Sequence, residues 1–150
     1  MIVVIQRVSS ASITIEHEVT ASIKYGIVIL VGIEEADAKE DIDWLASKIV
    51  NLRIFNDENG VMNLSVKQVG GEVMIVSQFT LHASTQKGNR PSYMKAAKHK
   101  HAIPIYEAFI AEIGRLMETE IKTGVFGADM KVSLVNDGPV TIIIDTKNKV

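Results

Sequence analysis

The 150-residue chain is 47% hydrophobic with a formal net charge of −2, which is enough chain for one domain with a real core. No run approaches the ~18–20 apolar residues of a membrane span, and "MIVVIQRVSS" has no basic leader or cleavage site, so the expected setting is the cytoplasm, away from membranes. The absence of cysteine excludes disulfides, thiolate catalysis and cysteine-bound zinc, and the mild negative charge argues against indiscriminate nucleic-acid binding.

"MIVVIQRV" reads as a mostly apolar first strand, and "SASITIEHEV" alternates Ile13, Ile15 and His17 against Thr14, Glu16 and Glu18. That period of two predicts a strand with one wet face. "GIVILVGI", bounded by Gly26 and Gly32, is apolar throughout and predicts a strand buried on both faces. Asp37 is then a suitable N-cap for a helix whose stripe is Ile42, Leu45, Ile49 and Leu52, with Trp44 beside it. Asn59–Gly60 marks a turn.

"GEVMIVSQFTL" predicts a buried strand that runs into Ser77, Gln78 and Thr80. Tyr106, Phe109, Ile110, Ile113 and Leu116 fall at helical spacing, with Pro104 expected in the first turn. "GVFGADMKVSLV" and "TIIID" are expected as closing strands, and the tail "TKNKV" as frayed. The sum is one α+β domain over residues 1–150. About six strands in twisted, largely antiparallel sheets form a partial barrel, with two main helices packed against it.

Charge is unevenly placed. Glu34 to Asp43 holds six acids and one lysine, whereas His82 to His101 holds five Lys or Arg, three histidines and no acid. The second segment is either a solvated surface or a local contact for a phosphate backbone. Two histidines in "HKH" without a nearby carboxylate are a weak ligand set, so no metal or other cofactor is expected. No glycine-rich nucleotide fingerprint and no GxSxG nucleophile motif is present.

Two stretches remain for chemistry. Ser77-Gln78-Phe79-Thr80 ends a strand in hydroxyls, an amide and free backbone N–H groups. His82 follows Thr80 by two residues, which on an extended chain puts both on one side. That admits a hydroxyl nucleophile with a histidine base, though no carboxylate is placed to orient the imidazole. The other stretch is "NDGPVT", Asn136 to Thr141, between two apolar runs. Residue statistics favour a hairpin turn there. Pro139 cannot donate to a ladder, which also leaves open a strand edge, a bulge or a cis peptide.

"SQFTL" with "NDGPVT", together with "IQRVSSASI", "NLRIF", "MNLS" and "FGADMKVSL", closely resembles the D-aminoacyl-tRNA deacylases, in the same order from Met1 to about Asp145. The resemblance implies a homodimer that hydrolyses the ester joining a D-amino acid to the 3′-terminal adenosine of tRNA, and also removes glycine from mischarged tRNA. It implies a site shared between subunits, with Ser77, Gln78, Phe79 and Thr80 from one and a Gly138–Pro139 cis peptide from the other. Main-chain carbonyls of that pair would hold the substrate ammonium and reject L side chains. Gln78 and Phe79 N–H groups are the expected oxyanion donors. The preferred mechanism uses the terminal ribose 2′-OH, with Thr80 as the alternative nucleophile and His82 a bystander. Arg7 would brace the Gly-Pro loop, and Phe126 and Met130 would surround the adenosine. "GNRPSY" stands where "GRRPSF" is common in the family, one cation fewer in the basic loop.

Overall fold

Strand β1 (Ile2–Ile15) organises the computed structural model, which describes residues 1–150. On one side β1 pairs antiparallel with β8 (Lys131–Asp145) along most of its length. On the other it pairs first with β3 (Gly26–Gly32) and then with β2 (Glu18–Ile23). Parallel pairing extends the sheet from β3 to β6 (Glu72–Ser77) and on to the short β7 (Lys122–Thr123). Because β2 returns to touch β6 and β7, the mixed sheet nearly closes into a barrel. A separate hairpin joins β4 (Phe55–Asn56) to β5 (Met62–Leu64).

Helices α1 (Lys39–Val50) and α2 (His99–Met117) pack together over one face of the sheet. Their apolar stripes meet Val3, Ile5, Ile27 and Ile29 there, with Phe55, Leu45, Phe109 and Ile113 fully buried. Burying each such side chain contributes about 1.5–3 kcal/mol. A second cluster, Val8, Ala11, Ile13, Val28, Met74 and Val76, fills the opposite face. The two-faced burial predicted for "GIVILVGI" is present in β3. β1 serves the second cluster with Val8 and then with Ala11 and Ile13 because an irregularity at Ser9 switches its alternation.

Several expectations are corrected. Glu16 and His17, read as strand, have φ of 49° and 67° and form the turn between β1 and β2. The helix starts one residue past the predicted cap: Ala38 precedes α1, and its N–H donates to the Asp41 carboxylate at 3.0 Å. Asp37 is instead buried, accepting from the Met1 ammonium and from Glu34 N–H. Pro104 lies inside α2, past its first turn. Residues 124–130 are loop rather than strand, so the closing strand begins at Lys131.

The tail is tied down over part of its length. Thr146 is buried against the Met1 ammonium at 2.8 Å, and Lys147 Nζ donates to Asp41 at 2.7 Å. Burial works to raise the Asp41 carboxyl, but the Lys147 and Thr146 hydrogen bonds outweigh it and bring the group down to about 2. No helix is long and apolar enough to cross a membrane.

"NDGPVT" is not a hairpin. Both flanking runs pair with the same strand, Gln6 opposite Thr141 and Val8 opposite Asn136, so residues 137–140 bulge out of one continuous β8 opposite Arg7. The statistics failed because the turn chemistry serves a bulge, and a bulge uses the same residue types.

Candidate active site

β6 ends at Ser77, and the chain turns at once into a 3-10 turn, Phe79–His82. The Gln78 N–H is already spent on the Val31 carbonyl at 2.7 Å, which removes it as an oxyanion donor. Phe79 and Thr80, the first residues of the turn, keep N–H groups with no backbone acceptor. The Gln78 side-chain amide donates to Thr80 Oγ1 at 2.5 Å. His82 does not lie beside Thr80 on an extended chain, as the spacing suggested. Its imidazole is buried and its Nε2 has no partner.

The strand end edges a mostly apolar cavity of about 570 Å³, whose lining includes neither Thr80 nor His82. Ser77, Gln78 and Phe79 form one wall and Phe126 and Met130 another, so five of the sequence-predicted site residues come together. Phe126 is held edge-on between His99 and Tyr106, at ring separations of 5.4 and 5.6 Å. The Met130 thioether occupies the space that a side chain on Gly124 would fill, so that glycine is what lets Met130 reach inward.

Sequence reasoning missed two contributors. Segment 93–102 closes the cavity with Tyr93, Ala97, Lys98 and His99. Tyr106, read only as a helix core position, donates its hydroxyl to the Ile75 carbonyl at 3.1 Å, just before Ser77. Burial pushes that hydroxyl up to about 12, with the Ser77 backbone pulling the other way, so it stays a protonated donor at neutral pH. A buried tyrosine on an apolar stripe was the available signal, since its hydroxyl must find an acceptor.

The other predicted residues form a second construction. Arg7, buried on β1, donates to the Ile54 carbonyl at 2.7 Å and to the Asp137 carbonyl at 3.1 Å, and pairs with the Asp137 carboxylate at 3.2 Å. Asn136 accepts from Val140 N–H at 3.0 Å and donates to Thr141 Oγ1 at 2.9 Å, stapling the base of the bulge. Gly138 has φ of 126°, and a Cβ there would sit 2.9 Å from Arg7 Nη2, so the position requires glycine. The Gly138–Pro139 peptide is cis, and both residues are exposed.

The two constructions are far apart. Arg7 pairs with Ile27 on β3 while Ser77 pairs with Val31, an offset of about 13 Å along the strands. Three strand spacings, from β8 through β1 and β3 to β6, add about 14 Å across the sheet. The bulge does not reach its own chain's cavity, whose lining includes neither Gly138 nor Pro139. A second depression, on the outer side of α1 around Asp43, Ser47 and Lys48, is open and polar. No group of three or more His, Asp or Glu is placed to hold a metal ion.

The family described as D-Tyr-tRNA(Tyr) deacylase matches residues 4–145. Proteins named D-aminoacyl-tRNA deacylase from Bacteroides thetaiotaomicron and Flavobacterium psychrophilum are 64% and 62% identical, each over 99% of both chains. A solved structure described as c-Myc DNA Unwinding Element Binding Protein is 39% identical, with a TM-score of 0.91 over 97% of this chain and 98% of that one. A probable eukaryotic D-amino acid tRNA deacylase shares the fold, with a TM-score of 0.82 at 12% identity, over 95% of this chain and 97% of that one. The chain therefore belongs to the D-Tyr-tRNA(Tyr) deacylase family.

Proposed function

We propose that the chain hydrolyses the ester bond of D-aminoacyl-tRNA, releasing the D-amino acid and tRNA, as a cytoplasmic homodimer with two shared sites. The observation that carries this reading is the division of the site. Free amides stand at the mouth of an apolar cavity, while a rigidly braced Gly-Pro bulge projects from the far end of the same sheet. A second copy brings the bulge to the cavity. β8 is an edge strand with Val135 and Ile143 exposed, a surface that pairing with another copy would cover.

In this reading Phe126 and Met130 hold the terminal adenosine, and the Phe79 and Thr80 N–H groups face the oxyanion that develops at the ester carbon. Main-chain carbonyls at Gly138 and Pro139 of the second copy take the substrate ammonium. An L side chain runs into that backbone wall, whereas a D side chain points away. Glycine has no side chain to reject, so glycyl-tRNA mischarged on tRNA-Ala is also a substrate. Thr80 has no base against its hydroxyl, which instead accepts from Gln78. Activation of water therefore falls to the ribose 2′-OH of the substrate.

The test is single-turnover hydrolysis of matched D- and L-tyrosyl-tRNA with EDTA present. Turnover of the D ester alone is expected, and equal rates would defeat the chirality mechanism. The second reading is a nucleic-acid-binding module without turnover. It draws on the basic segment and on the 39% identical relative named for DNA binding. Hydrolysis of neither ester would favour it.

A further inference from the structure

We propose that segment 84–100 is a ridge that grips the phosphate backbone of the RNA strand leading into the cavity, so that much of the substrate affinity is generated away from the ester. The inference rests on the deacylase reading above and extends it from the terminal nucleotide to the strand behind it.

Ser84 and Ser92 close a loop by reciprocal backbone bonds of 2.8 and 2.9 Å. Residues 85–91 project from that bridge, reaching up to about 12 Å beyond it. Lys87 and Arg90 lie on the projecting part, and Lys95, Lys98 and Lys100 follow on the return to α2. All five are exposed, and none takes part in an ion pair, whereas seven of the eleven other Lys and Arg do. Glu35 accepts from the Lys98 N–H at 2.8 Å and Glu34 bridges to Ala96, so acids meet the return of the segment but not its projecting part. Unpaired cations without interspersed acids form a field that attracts a polyanion.

The ridge is continuous with the cavity. Tyr93 meets Phe79 edge-on at 5.1 Å, and both rings are exposed at the mouth. Exposed aromatic faces beside a cationic track are what an unpaired strand needs, since bases stack on rings while phosphates meet cations. Ala97 N–H donates to the Ile33 carbonyl at 2.8 Å, fixing the return of the segment to the sheet.

The test reverses three of the four ridge cations that do not line the cavity, in the combined variant Lys87→Glu, Arg90→Glu and Lys95→Glu. Two substrates are compared, D-tyrosyl-tRNA and the D-tyrosyl ester of adenosine, with salt titrations of each. The expected result is a loss of about 10²-fold in kcat/KM on tRNA, a salt slope shallower by about two to three, and an adenosine ester rate within about twofold of the parent. Equal loss on both substrates, or an unchanged rate on tRNA, would overturn the ridge. Binding of uncharged tRNA reads it independently of turnover: Kd should rise about 10²-fold, and an unchanged Kd overturns it equally. A parent protein that binds tRNA but hydrolyses neither ester would contradict the deacylase reading and leave the ridge to stand on the binding result.

Discussion

The cavity and the Gly-Pro bulge are built in opposite ways. The cavity gathers residues from β6, the 3-10 turn, segment 93–102 and the loop before β8, and its walls are largely side chains, buried at Val31, Val76 and Ala102 and exposed at Phe79 and Tyr93. The bulge is a local excursion of one strand, held from beneath by Arg7 and Asn136, and it presents backbone to the outside. A concave half with free amides and a convex half with a main-chain surface are complementary, yet the sheet holds them apart. On the proposed function, selection and chemistry fall to separate structures, each held by its own hydrogen bonds.

Breaking the convex half should have the largest effect. Gly138→Ala places a Cβ 2.9 Å from Arg7 Nη2 and Val140 Cγ2 at a φ of 126°. Hydrolysis of D-tyrosyl-tRNA should fall by about 10²–10³-fold, a barrier increase of about 3–4 kcal/mol. Circular dichroism should show the fold intact. Arg7→Met removes the brace without the glycine. Urea denaturation should show a loss of about 1–3 kcal/mol, because the buried Ile54 carbonyl keeps no donor. The Asp137 pair adds little, since that carboxylate is 41% exposed.

Changes in the concave half should be milder. Tyr106→Phe deletes the hydroxyl that holds the Ile75 carbonyl beneath Ser77 and should cost about 1 kcal/mol in stability by thermal melting. Gly124 N–H still reaches the same carbonyl at 3.2 Å, which limits the damage. Thr80→Ala should be the mildest, a loss under about 10-fold in single-turnover rate, because the hydroxyl has no base to activate it. A loss beyond ~10³-fold would make Thr80 the nucleophile.

Legibility in the sequence followed the locality of the signal. β3 and α2 were plain because their burial is written in uninterrupted or helically spaced apolar residues. The start of α1 was misplaced because Asp37, a good cap by type, is drawn into a buried pair with the Met1 ammonium. The tail was misjudged for the same reason: Thr146 and Lys147 gain partners distant in sequence. At the site, Ser77 to Thr80 and Gly138–Pro139 were legible as motifs. That Gln78 N–H is consumed by Val31, or that Tyr106 reaches Ile75, depends on strand register and helix placement. No local pattern carries that information. The hairpin reading of Asn136 to Thr141 failed because only pairing partners distinguish a bulge from a turn.

The shared site is tested most directly by mixing two variants that are each inactive, Gly138→Val in the bulge and Ser77→Trp in the cavity. Each is purified alone, and the two are combined under conditions that allow subunits to exchange. If two copies build each site, a mixed dimer has one site with both lesions and one with neither, and the mixture should recover about a quarter of parental D-tyrosyl-tRNA hydrolysis. Recovery no greater than the sum of the separate variants, with exchange verified by mass, would contradict the account.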